Sequence, residues 1–234
     1  MGGSAFAMGE REAASALRWW LEMGVDVAVQ ESPRNWFERG KAPSPVEDQH
    51  PQPAAELPES LDSFREWLAT SPDAPLASAR SKTVRPKGAE GAQVMLLSEP
   101  PTREELSCGQ PIGGQAAELM ERMLAAIDMA GQAYSANLAC FNSPGARLSP
   151  KQLEDCGSAA RRHIALARPR RLLLLGDAPC QALLGQSLVE ARGHVHKVEG
   201  IRTVATFHPR FLLEKPSQKA LAWKDLLLLT EEAP

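Results

Sequence analysis

Four short segments rich in apolar residues, at residues 94–97, 134–141, 171–175 and 201–207, each lead into a turn and then a stretch with helical periodicity. That alternation limits the architectures open to the chain. Apolar runs of this length read as strands buried on both faces, and intervening helices connect such strands in parallel. The expected fold class is α/β: a three-layer α/β/α sandwich with a four-stranded parallel sheet in the order 2-1-3-4. Helices are expected at 114–130, 149–167, 178–184 and 218–230. Ser149 stands as the N-cap of the second, with Pro150 at its first position.

Upstream, the apolar and small residues from Glu10 to Met23 recur at helical spacing, so residues 1–30 read as an N-terminal helical segment. Residues 31–58 carry Pro33, Pro43, Pro45, Pro51, Pro53 and Pro58 and read as a linker or extended arm. A domain is expected over 59–234, opening on a short helix capped by Ser60. No apolar run approaches bilayer length, and the opening residues lack a basic stretch followed by an apolar one. No membrane association is expected. Four cysteines without a secretory context point to a cytoplasmic protein with reduced thiols.

The net charge of −3 conceals an asymmetry: residues 147–224 carry 14 Lys/Arg against 6 Asp/Glu. A basic half attracts phosphates, although such runs are as often a solvated surface. Two strand ends carry polar residues. Residues 94–124 run from a strand through Pro100 and Pro101 to a Gly-rich turn and an amphipathic helix, and residues 205–213 read ATFHPRFLL. Loops at the carboxyl ends of parallel strands build ligand pockets, so the two are expected to share one site.

The segment SEPPTREELSCGQPIGG, the strand Tyr134-Ser135-Ala136-Asn137, the turn His208-Pro209-Arg210-Phe211-Leu212-Leu213 and Ala222-Trp223-Lys224-Asp225-Leu226 together resemble family 4 of the uracil-DNA glycosylase superfamily. The resemblance implies that Asn137 reads the pyrimidine edge and that His208 stabilises charge on the leaving base. Glu99 falls on the loop glutamate. Ser98, Pro100 and Ile112 fall on the substrate pocket, with Ser98 and Thr102 in place of glycines and Ile112 in place of a stacking aromatic. In isolation, Asn137 reads equally as a residue closing a turn, and His208 as a satisfied histidine before a proline. DNA, single- or double-stranded, is the implied partner, with a repair protein as a second. Arg161, Arg162, Arg192, Lys197 and Arg210 are the candidate contacts in the basic half. Arg210 adds charge at the mouth.

The same family carries a four-iron cluster on four cysteines. Cys140 and Cys156 match the spacing of the later pair, but the earlier pair falls on Ala74 and Ala77. No cofactor is expected, and Cys140 and Cys156 stand as remnants. Two functions follow. Retention of Glu99, Asn137 and His208 implies a glycosylase in base-excision repair, weakly active on uracil or another damaged base. The altered loop and absent ligands imply a non-catalytic relative that binds nucleic acid or a repair partner.

Overall fold

The computed structural model of the protein describes residues 57–77, 82–142 and 147–231. The expected N-terminal helical segment and nearly all of the Pro-rich arm lie outside them. The domain opens on α1 (Leu61–Thr70), whose N-cap Ser60 accepts the Ser63 N–H at 3.2 Å. The strands are β1 (Val94–Ser98), β2 (Ala133–Asn137), β3 (Arg171–Leu175), β4 (Val195–Val198) and β5 (Ile201–Thr206). Between and after them run α2 (Arg103–Cys108), α3 (Gly114–Ala125), α4 (Pro150–Ala167), α5 (Asp177–Leu184), α6 (Leu188–Ala191), α7 (Pro209–Glu214) and α8 (Lys219–Thr230).

The sheet order is β2-β1-β3-β5-β4, with β2, β1, β3 and β5 parallel. This is the expected α/β sheet, with one strand more than the sequence reading gives. The addition, β4, runs antiparallel to β5 on one edge, in register from Val195↔Val204 to Val198↔Ile201. Glu199 and Gly200 form a two-residue turn with φ of +48° and +76°, the left-handed pair that a type I′ hairpin requires. Strand β4 escapes an apolar-run search because His196 and Lys197 interrupt it and only Val198 is buried. At the other edge, β2 is covered by a strap. Lys87 exchanges both backbone hydrogen bonds with Ser135, at 2.7 and 2.8 Å, and the Val84 N–H donates to the Cys140 carbonyl at 2.9 Å.

Alternation of side chains across the sheet divides the core into two layers. Met95, Leu97, Leu172, Leu174 and Ala205 face α4 and α5, while Val94, Leu96, Leu173, Leu175 and Val204 face α3 and α8. Helix α3 ends five residues before the expected Ala130. The Met129 N–H turns back to the Leu124 carbonyl, and Asp128 takes a left-handed conformation at φ +56°. Among the described residues no helix is long and apolar enough to cross a membrane.

Candidate active site at the strand ends

Strand order places the switch point between β1 and β3, where the chain departs in opposite directions and leaves a crevice. A cavity of about 640 Å³ opens there. The loop after β1 (Glu99, Pro100, Pro101, Thr102) forms one wall, and Asp177, Ala178 and Gln181 of α5 form another. Arg210, Asn142, Arg147, Leu148, Leu153 and Ser187 complete the lining.

Asn137 ends β2 directly beside Ser98, its register partner on β1. Its Nδ2 donates to the Glu99 carbonyl at 2.8 Å and the Pro111 carbonyl at 3.0 Å. Its Oδ1 is buried and has no hydrogen-bond partner among the described residues. His208 ends the β5 segment as N-cap of α7, where its Nδ1 accepts the Arg210 N–H at 3.1 Å. The neutral ring proton therefore sits on Nε2, which donates to Ser98 Oγ at 2.9 Å. Burial, helped by the nearby Arg210 charge, pushes the His208 imidazole down to about 3. It stays neutral at ordinary pH. With Nε2 as donor, it cannot activate Ser98 as a nucleophile, which separates this pair from a serine hydrolase dyad.

A charged frame surrounds the pair. Arg210 bridges two carboxylates at 3.4 Å each, Glu99 at the cavity wall and Glu105 in the interior. Glu105 Oε2 also accepts from the N–H and hydroxyl of Thr102, closing a capping box on α2. Glu99 Oε1 accepts the Asp177 N–H at 3.2 Å. Burial raises the Glu99 carboxyl above the usual range, against the Asp177 N–H and Arg210. Gly176 makes this approach feasible: its φ is +100°, and an added Cβ would lie 2.5 Å from Glu99 Oε1. Beneath His208, buried Asp225 accepts from Thr206 Oγ1 at 2.8 Å and pairs with Arg192 at 2.7 Å, fixing the end of β5.

The structure thus brings Ser98, Glu99, Pro100, Asn137, His208 and Arg210 to one end of the sheet. Ile112 is buried in the layer beneath, with Leu96 and Met120. Of the five basic candidates, only Arg210 lines the cavity. Arg161 is held by the Leu183 carbonyl and Glu199, and Arg162 by the Pro58 carbonyl. Arg192 is consumed by Asp225 and stacks 4.0 Å from the Phe207 ring centroid. Lys197 is exposed on β4, opposite Arg202 near the amino end of β5. Leu212, just after the His208–Pro209 turn, is a core residue at 1% exposure. Sequence reasoning missed Glu105, Asn142 and Asp177. The Thr102-x-x-Glu105 spacing was the available signal for the first.

Cys140 packs with Ala74, Phe64, Leu68 and Phe141, with Ala77 at the edge of the same cluster. Cys156 lies in the larger layer on α4. Burial pushes both thiols up to about 12, so both are protonated. Two sulfurs and two methyl groups do not fit the donor set of a four-thiolate cluster.

A family model described as the uracil DNA glycosylase superfamily matches residues 85–227. The chain is 26% identical over 170 residues to a type-4 uracil-DNA glycosylase of Archaeoglobus fulgidus, covering 68% of this chain and 85% of that protein. It is 24% identical over 180 residues to one of Pyrobaculum aerophilum, covering 72% and 92% respectively. A third, of Thermotoga maritima, is 24% identical over 151 residues, covering 62% and 79%.

Proposed function

Because the chain belongs to the uracil-DNA glycosylase superfamily, we propose that it is a slow DNA glycosylase, hydrolysing the bond between deoxyribose and uracil or another damaged base. The observation that carries this reading is the tautomer of His208. Its Nδ1 is committed to the Arg210 N–H, so Nε2 offers a fixed, neutral donor at the strand ends. A base in DNA must first leave its stack. As the C1′–N1 bond breaks, the electron pair moves into the pyrimidine ring and onto its carbonyl oxygen. A preplaced donor stabilises that charge. Water then adds to C1′, and its proton passes to the departed base anion, giving neutral base and a free sugar hydroxyl. Glu99, held by Asp177 and Arg210 at the cavity wall, orients that water. No step involves an iron-sulfur cluster.

Slowness follows from Ser98 and Ile112. The Ser98 hydroxyl already holds the His208 proton, so a base oxygen must displace or share it. Ile112 provides no aromatic face, and stacking on such a face contributes ~1–3 kcal/mol per base. Ser98→Gly with Ile112→Phe is expected to raise single-turnover excision from a single-stranded uracil oligonucleotide by at least about tenfold. If neither the parent nor this variant releases uracil, the second reading, a non-catalytic binder of nucleic acid or a repair partner, stands instead. The committed donors of His208 and Asn137 favour that alternative.

DNA phosphates are proposed to meet Arg210 at the mouth. In binding measured against salt, Arg210→Ala should flatten the logarithmic slope by about 0.7–0.9. Lys197→Ala, remote from the cavity, should leave it unchanged. The purified protein is expected to be colourless, with iron well below one atom per chain. About four irons per chain with broad visible absorbance would refute the two-sulfur reading.

A further inference from the structure

A second recess opens between α3 and α8 and shares no residue with the strand-end cavity. Leu119, Leu212 and Ala222 form its floor, a buried cluster of their own with Met123 packed against it. The recess holds about 240 Å³ and is lined mainly by apolar side chains. Small-molecule sites run roughly 300–1,000 Å³ and carry several converging polar groups, so a compact ligand is a poor fit. The shape suits a helix better. Leu119, Met123 and Ala126 stand at i, i+4 and i+7 along α3, and Lys219, Trp223 and Leu226 at the same spacing along α8. Two such rows make a groove that accepts side chains of that spacing from a third helix.

Helix α8 is apolar nearly all round (KALAWKDLLLLT), and helices of that kind are ordinarily covered on every side. Yet Trp223, at the groove, and Leu227, one turn on, are each 41% exposed. The charged residues lining the groove are both basic, Arg122 from α3 and Lys219 from α8. Both are exposed, and neither forms a salt bridge among the described residues. Arg122 Nε reaches only the Glu118 carbonyl, one turn back on its own helix. Lys219 is the first residue of α8, and the N-cap Gln218 supplies no side-chain bond. A cation is unfavourable at that positive end of a helix, and a carboxylate there would meet both the ammonium and the dipole.

We propose that this groove docks an acidic amphipathic helix of a partner protein. Its apolar stripe lies between α3 and α8, and its Asp and Glu flanks face Arg122 and Lys219. Trp223 is the anchor, a large aromatic at the centre of the contact. Leu212, on the floor, belongs to α7, the helix capped by His208, so a docked partner touches that helix while the strand-end cavity stays open. The inference does not depend on the proposed chemistry and holds equally for an active enzyme and for a non-catalytic relative.

The probe is a fluorescein-labelled peptide of about fifteen residues, long enough to hold a helix, with Leu on one stripe and Glu on both flanks. Fluorescence anisotropy reads its binding to the full chain. The Glu peptide is expected to bind at least about tenfold more tightly than the same composition with the stripe scrambled, or than a version with Lys in place of Glu. Trp223→Ala should weaken it at least about tenfold. Arg122→Glu with Lys219→Glu changes two exposed positions, and its folding is checked by circular dichroism. It should invert the preference, so that the Lys peptide binds the more tightly. Equal binding of the Glu and scrambled peptides, or a preference unmoved by the charge reversal, would overturn the inference. A chain that self-associates in sedimentation, and becomes monomeric in Trp223→Ala, would make a second copy the occupant and overturn it. Displacement of the peptide by a single-stranded oligonucleotide would overturn it in favour of a nucleic-acid surface. No binding of the Glu peptide by the intact chain would overturn it as well, whatever covers the groove.

Discussion

Single-turnover excision of uracil is expected to slow by about 10²–10³-fold when His208 is replaced by alanine, the usual effect of removing one preorganised donor to a developing oxyanion. The chemical step should fall by more than DNA affinity does, because the imidazole is buried at 4% exposure and in the proposed mechanism serves the leaving base, not the phosphates. Alanine also removes the N-cap of α7, at a cost of about 1 kcal/mol in stability. His208→Asn keeps both a cap acceptor and a donor, so its rate should lie between those of the parent and the alanine variant. A rate unchanged in both variants would place the chemistry elsewhere. A rate lost in both, with intact folding by circular dichroism, would show that imidazole geometry is required.

Acid should destabilise the fold steeply and early. His163 is buried beside Phe64 and Tyr134, with its Nε2 2.6 Å from the Tyr134 hydroxyl, which also accepts from Arg65 Nε at 2.9 Å. Burial, then the Arg65 charge, pushes the His163 imidazole down to about 3, as burial does for His208. The ordinary value of 6.5 returns on unfolding. Between these values the unfolded chain binds two protons that the native state refuses, so stability falls as pH falls from about 6.5 towards 3. Near pH 5.5 the slope should reach about 2.5 kcal/mol per pH unit. Glu99 and Asp225, held above the carboxylate range by burial, take up protons first in the native state and offset part of the loss at the acid end. Urea titrations from pH 7 to 5 would read the slope, and His163→Gln should reduce it by about one proton. An unaltered slope in that variant would mean that His163 does not stay neutral in the fold.

What the sequence disclosed depended on how far apart the cooperating residues lie. Strands β1 and β3 were legible as nearly continuous apolar runs, β2 and β5 because their apolar residues recur between turn signals and helical stretches, and α4 because Ser149 and Pro150 mark its start. Strand β4 was not, since an edge strand has only one neighbour and needs no second apolar face; its Glu199–Gly200 turn was the readable clue. Helix α2 spans six residues, too few for periodicity to register. The basic half misled for another reason. Arg192 is neutralised by Asp225, thirty-three positions later, and Arg161 by Glu199 across a helix–hairpin contact, pairings that composition cannot anticipate. Ser98, Asn137 and His208 were all located by motif. Their hydrogen bonds were not, because the acceptors for Asn137 are backbone carbonyls whose positions follow from the fold and not from side-chain identity.

The strap at Lys87 and the hairpin strand β4 have a consequence for the protein as a solute. An open sheet carries a row of unsatisfied backbone groups along each border, and such borders recruit strands from other molecules. Here one border is occupied by residues 84–87 and the other is a short strand studded with His196 and Lys197. The apolar strands β1 and β3 lie inside, each paired on both sides. Should the strap detach, the border newly laid bare would be β2, the strand that ends in Asn137. Self-association and disturbance of the strand end that carries Asn137 would then begin at the same place.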